Sequence, residues 1–401
     1  MTAGITQIDD YRWQDVYYDD DLATGNNDGT TEADAWQSIT DMLAGVQAGQ
    51  RVNMKATASP VSLGAAATFP AGDSSGAIWY RGYTTTPGDG GNWVGSANGT
   101  NNFVTASGPQ IFSDISFTGT SVTAQTLSNT NPQATFYQCV ISSDGAAEAT
   151  NSAEGVFIEC TITNSGTFST AGYEGWQGNG IAIGCDFEAD GIPCDLAMLD
   201  ESEHILLFKC TALSNSAEAR TVVEINLTFN ESAYAVVLEC SMYGGLAGID
   251  IPDIQAIHEG SSVIANNAIS DCDTGILMSE ASSPEIGNIS NNAVGNNTTA
   301  DYSGFGDWED RITDKIALSG DPFTDAANND FTPDNTAGEG QVLRDGGTLG
   351  FIGGSSTELV TSAFDLGGTR QGSDDGGDPQ SLTAGGGGGG GVVVVNFRKV
   401  R

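Results

Sequence analysis

Short alternations of apolar and polar residues recur along most of the chain, each closed off by turn-forming residues. Eight of them share one phrase: FSDISFTG, FYQCVIS, FIECTIT, IAIGCDFE, LFKCTAL, VLECSMY, IANNAIS and ISNNAVG. Period-two alternation predicts a β-strand in each phrase, with Ile158, Cys160 and Ile162 on one face and Glu159 and Thr161 on the other. The phrases align on Ile115, Cys139, Cys160, Cys185, Cys210, Cys240, Asn267 and Asn292. The five cysteines lie 21, 25, 25 and 30 residues apart. Self-similarity at such a period marks a solenoid, in which one repeat is one coil that buries its apolar face only against its neighbours. A fixed register would stack the aligned residues into one interior ladder, so the expected fold is an all-β parallel β-helix.

Strict alternation also points a second set of residues outward: Phe136, Phe157, Ala182, Leu207, Val237, Ile264 and Ile289. An exposed apolar stripe along a solenoid would be an oligomer seam. Association as a homotrimer around the helix axis is the expected geometry.

The cysteines read as packing residues, because free Cys is among the most buried residue types. Seven is an odd number, and a ladder spaced by whole coils matches no disulfide framework. No CxxC occurs, and the chain has two histidines, His204 and His258. No cofactor and no conventional metal site are therefore expected. Glycine contributes 54 of 401 residues, in keeping with several tight turns per coil. The net charge of −39 repels nucleic acid and anionic membranes, which excludes both as partners of the body of the protein.

The ends differ from the coils. Residues 1–50 carry a short strand, a polar turn and Trp36, Ile39, Met42 and Leu43 at helical spacing, which reads as an N-terminal cap. Residues 51–310 form the coils, and 311–372 a C-terminal cap. Residues 373–391 are a glycine-rich linker with seven consecutive glycines. Residues 392–401 follow as a strand: Val392, Val393, Val394, Val395 and Phe397, then the basic Arg398, Lys399 and Arg401. A tethered strand of this kind adds to another sheet's edge, so it is expected to anchor the chain to a partner.

ATGNNDGT with the helix after it, RVNMKA, IWYRGY before a Pro-Gly turn, and DPFTDAANNDFTPDNTAGEGQVLRDGG with SAFDLGG resemble segments of right-handed parallel β-helix proteins of the pectate-lyase-like superfamily. The resemblance covers roughly residues 16–370. It implies the fold and leaves activity open, since the superfamily includes polysaccharide lyases, glycoside hydrolases, adhesins and phage spikes.

Catalysis on such a fold needs convergent outward groups. Glu159, Asp186 and Glu188, with Lys209 a coil further on, are the catalytic candidates. Asp19, Asp20, Asp21 and Asp28 beside a Gly/Asn turn are the metal candidates, although their spacing matches no defined Ca²⁺ loop. The opening MTAGITQIDDYRWQDVYYDDD has neither the cationic nor the apolar stretch of a secretory leader.

Together these features favour a non-enzymatic structural protein of a virus particle surface, a head-decoration spike or tail-associated fibre. It would be assembled in the host cytoplasm and held to capsid or tail proteins by its C-terminal strand. The alternatives are a polysaccharide lyase or glycoside hydrolase acting on an acidic glycan, and an extracellular cell-surface adhesin, with a glycan as a possible ligand.

Overall fold

The computed structural model describes residues 13–343, except 121–124, 145–148, 152–154, 166–173, 178–179, 191, 198–203, 216–220, 227–233, 252–262, 279–287, 307–308, 310–311, 335 and 337–338. The terminal strand 392–401 and its linker lie outside the described residues. The described chain winds as a right-handed parallel β-helix, the hand that parallel crossovers adopt almost without exception. Each coil visits three sheets in turn. Sheet A runs from Gln14–Tyr18 to Ile312–Thr313, sheet B from Val61–Ser62 to Ile316–Leu318, and sheet C from Ala67–Phe69 to Ala300–Ser303. Among the described residues, no helix is long and apolar enough to cross a membrane.

The recurrent phrase is a strand, a sharp bend and a second strand. Phe157 and Ile158 end a strand of sheet A, and Thr161–Asn164 opens one of sheet B. The bend is made by one residue in the left-handed region. Gln138, Glu159, Lys209 and Glu239 have φ between 51° and 56°, and Asp114, Asn266 and Asn291 take the same conformation. Asn and Asp tolerate it through local side-chain hydrogen bonding, whereas Gln, Glu and Lys have no such relief. The ladder hydrogen bonds hold them there: Glu159 N–H donates to Ile183 O at 2.8 Å, and Lys209 N–H to Leu238 O at 3.1 Å. Gly184 fills the equivalent place at φ 61°.

The bend displaces the alternation by one residue. Phe157, Cys160 and Ile162 point inward, while Ile158 and Glu159 lie outside. The expected pairing of Ile158 with Cys160 is therefore corrected, although the aligned residues from Ile115 to Asn292 are all buried.

The same shift reverses the proposed seam. Phe136, Phe157, Ala182, Leu207, Val237, Ile264 and Ile289 are at most 1% exposed and line the interior of sheet A. Tyr80, Phe112, Phe136 and Phe157 stack in one column, with ring centroids 5.1, 4.9 and 4.7 Å apart. They cannot form an oligomer stripe. The residues that face out of sheet A alternate with them, and in the later coils these too are apolar: Leu206, Val236, Leu238, Val263 and Ala265 form their own buried cluster.

The two ends are closed differently. Gln14–Tyr18 pairs with Gln50–Lys55 as the first strand of sheet A. Helix α1 (Ile39–Gly45) begins at Ser38, whose hydroxyl accepts the Asp41 N–H, and buries Met42 in the core. Trp36 precedes the helix and is buried against the first coil. At the other end, the chain beyond Ile316 turns along the flank. Phe323, Ala326, Phe331 and Leu343 pack over Leu213, Ala268 and Ala293 on the outer face of sheet B. Over its described part, the expected C-terminal cap is thus a cover on sheet B.

Replacing Phe157 by Ala removes one ring from a continuous stack and should cost about 3–5 kcal/mol of stability in denaturant unfolding. Thr161→Ala, on the outward side of the same coil, should stay within about 0.5 kcal/mol. Equal effects would contradict the interior placement.

Candidate functional site

The four catalytic candidates do not meet in one site. Glu159 and Lys209 stand on the row of left-handed residues at the A–B corner, separated by the Gly184 coil. Asp186 and Glu188 lie on sheet B, in register with Thr211 and Leu213. Each has local partners. Gln138 Nε2 donates to Glu159 at 3.0 Å, and Thr211 Oγ1 donates to Asp186 at 2.8 Å. Glu188 accepts from Asn215 and, across the flank cover, from Asn329, both at 2.6 Å. Lys209 is 3.5 Å from Glu239 and sits over the Phe208 ring. The Glu239 carboxyl is pushed upward by burial, an effect opposed by Lys209.

The metal candidates also separate. Asp19 is paired with Lys55 at 2.6 Å and accepts the Asp21 N–H, Asp20 accepts from the Tyr18 hydroxyl, and Asp28 accepts from Thr30. Among the described residues, no group of three or more His, Cys, Asp or Glu converges on a metal position.

A cationic and aromatic cluster occupies the outer face of sheet A at its first coils. Trp79 lies between Arg51 and Arg81, each 5.2 Å from its ring centroid, and its indole N–H donates to Ser113 Oγ at 2.9 Å. Arg51 forms a two-pronged bond with Asp15 at 2.7 and 3.1 Å, and Arg81 donates to Asn53 at 2.7 Å. The guanidinium beside it, opposing the effect of burial, holds the Asp15 carboxyl below its ordinary value. These groups are sealed against one another, which makes the cluster a clamp across the first coils.

Sheet C carries the arrangement that the sequence did not reveal. Asp195 is in register with Glu224, and Glu224 with Asp250, so three acidic residues occupy one position on three successive strands. Gln177 precedes them in the column, and Leu277 and Ser303 follow. Neighbouring parallel strands are about 4.8 Å apart, so the backbones of this column are closely spaced. Val223 and Ile225 flank Glu224 and are buried in the core, as Ile249 and Ile251 are around Asp250. Alternation therefore sets Glu224 and Asp250 on the side away from the core, where Glu224 is half-buried and Asp250 is 9% exposed. Lys and Arg among the described residues lie elsewhere: Arg51, Lys55 and Arg81 on sheet A, Lys209 at the A–B corner, and Lys315 next to sheet B, 3.2 Å from Glu309.

The column does not share the register of the cysteine phrase. Asp195, Glu224 and Asp250 precede the next aligned residue by 15, 16 and 17 positions, so they drift against that frame. A usable signal was present in the triplets CDL, VEI and IDI, each an acid between two apolar residues.

One corner carboxyl titrates unusually. Burial pushes Asp114 up to about 6 from 3.8, while Ser113 and Arg81 pull the other way and Asp89 adds to the rise. A raised carboxyl favours the folded state while it is neutral, so this contribution is present below pH 3.8 and is lost as pH rises through about 6. Thermal melts of wild type and Asp114→Asn should diverge across that window, with the variant lacking this fall in stability.

The chain matches no family model and no curated protein sequence. Its fold is similar to the crystal structure of pectate lyase Pel9A, with a TM-score of 0.59 and 14% sequence identity, covering 90% of this chain and 98% of that one. At that identity the likeness establishes the parallel β-helix architecture of the two chains.

Proposed function

We propose that the protein engages an extended polysaccharide along the outer face of sheet C. The observation that carries this reading is the column Asp195–Glu224–Asp250, in which backbone register repeats an acidic residue once per coil. A polymer lying along the helix axis meets such a column as a series of equivalent contacts. The likeness to a pectate lyase supports the same direction and makes an acidic glycan the first class to test. An anionic chain would approach these carboxylates across a hard cation with oxygen ligands, whereas a neutral glycan needs none. Cleavage by elimination would further need a base beside the column, so binding and lysis are separate questions.

Calorimetric titration with polygalacturonate, alginate and neutral glycan fragments, with and without Ca²⁺, tests the reading. Binding to one class is expected, and Glu224→Gln or Asp250→Asn should each weaken it about tenfold or more, since a charged hydrogen bond contributes roughly 1.5–3 kcal/mol. Release of unsaturated uronate ends would add lyase activity. Absence of glycan binding, or binding indifferent to both substitutions, would reject the site.

A second reading is a structural protein of a virus particle surface, favoured by the net charge of −39 and by the sequence VVVVNFRKVR behind its seven-glycine tether. Its trimeric form loses the ground the Phe136–Ile289 stripe had offered, because those side chains are interior. Deleting residues 385–401 should leave a folded β-helix that no longer copurifies with particles; normal incorporation of the truncated chain would remove this reading.

A further inference from the structure

The ladder at the A–B corner is a column of sulfur. Cys139, Cys160, Cys185, Cys210 and Cys240 occupy five successive coils and are all free and buried. Each carbonyl in the column accepts an N–H from the following coil: Cys139 from Thr161, Cys160 from Asp186, Cys185 from Thr211, Cys210 from Ser241 and Cys240 from Ala268, all at 2.9 Å. Every thiol lies within reach of the carbonyl two residues earlier, at 3.5, 3.4, 3.7, 3.5 and 3.3 Å, and those of Cys160 and Cys210 also reach Phe136 O and Ala182 O of the preceding coil, both at 3.5 Å. Five thiols held beside the equivalent carbonyl on in-register coils place their sulfurs about one strand spacing, ~4.8 Å, apart. Ile115 closes one end of the column, and Asn267, whose Oδ1 accepts the Cys240 N–H at 2.9 Å, closes the other.

This spacing has a chemical counterpart. Two metal–thiolate bonds of about 2.3 Å placed end to end span about 4.6 Å, close to the separation of neighbouring sulfurs. Three- and four-ligand sites are not available among the described residues, because no three His, Cys, Asp or Glu converge. Linear two-coordinate binding requires one pair of sulfurs alone, and thiolate ligands select soft ions.

We propose that the cysteine column is a binding site for soft two-coordinate cations, each held between the sulfurs of adjacent coils. With mercuric ion the step balances without residual charge: two thiols lose two protons, two sulfur–mercury bonds form, and the adduct RS–Hg–SR is neutral. Monovalent copper or silver would leave one negative charge per isolated pair. A neutral adduct suits an apolar interior, where an unpaired charge is costly. Bound ion also ties coil to coil, so it should raise the unfolding temperature by mass action on the folded state.

Titration of the folded chain with mercuric chloride, followed by native mass spectrometry and proton release, tests the proposal. Five sulfurs contain at most two separate neighbouring pairs, so wild type should take up two ions in the column, each releasing two protons. Cys160→Ala with Cys210→Ala leaves Cys139, Cys185 and Cys240 without a sulfur one coil away and should abolish two-proton uptake there. Cys139→Ala with Cys240→Ala removes the same number of thiols, keeps Cys160, Cys185 and Cys210 contiguous, and should retain one such site. Equal behaviour of the two double variants would overturn the proposal. So would single-proton release in wild type, or uptake that begins only once the chain is denatured. Circular dichroism reports whether each variant is folded; should either double variant fail to fold, the wild-type proton count and the shift of its melting temperature decide the matter.

Discussion

Each coil turns from sheet A to sheet B on a single left-handed residue, and the cross-section of the helix follows from that bend. For a residue with a β-carbon the conformation is unfavourable, by roughly 1–2 kcal/mol. It persists because the N–H of the bending residue and the carbonyl of the residue after it are both tied into the neighbouring coils. Glu159, Lys209 and Glu239 are held this way although, unlike Asp114, Asn266 and Asn291, they are not of the residue types that visit this region readily. The bend also sends the next residue inward, so one backbone feature produces both the sulfur and amide ladder inside and the charged row outside.

The interior and the exterior of sheet A are apolar for different reasons. Inside, aromatic rings from Tyr80 to Phe157 stack on the coil repeat, and aliphatic side chains continue the column to Ile289. Outside, Leu206, Val236 and their neighbours form a separate buried cluster. The later strands of sheet B are covered by Phe323, Ala326, Phe331 and Leu343, with Glu188 fastened to Asn329 across the contact.

Charge follows the same partition. Basic residues among those described are drawn into local pairs, as in Arg51 with Asp15 and Lys55 with Asp19. The paired cations brace the first coils and the corner, while the repeated carboxylate position of sheet C is set on strands that carry no described basic residue. A field of this sign would repel an anionic polymer unless a cation stood between them. That makes the identity of the glycan an electrostatic question as much as a steric one.

Period and composition determined the coil repeat, the parallel β-helix and the burial of the cysteine and asparagine ladder, because these depend on local alternation and on one recurrent phrase. The facing of Phe136, Phe157 and Leu207 was decided by the tertiary structure: a one-residue bend inverts alternation, and nothing in FYQCVIS or FIECTIT distinguishes a bend from a continuous strand. Gln138 and Glu159 are not residues that signal a left-handed turn; ladder hydrogen bonds from adjacent coils impose it. The alignment of Asp195, Glu224 and Asp250 was likewise settled in three dimensions. Connections of unequal length separate them from the cysteine phrase, and only strand pairing restores a common register.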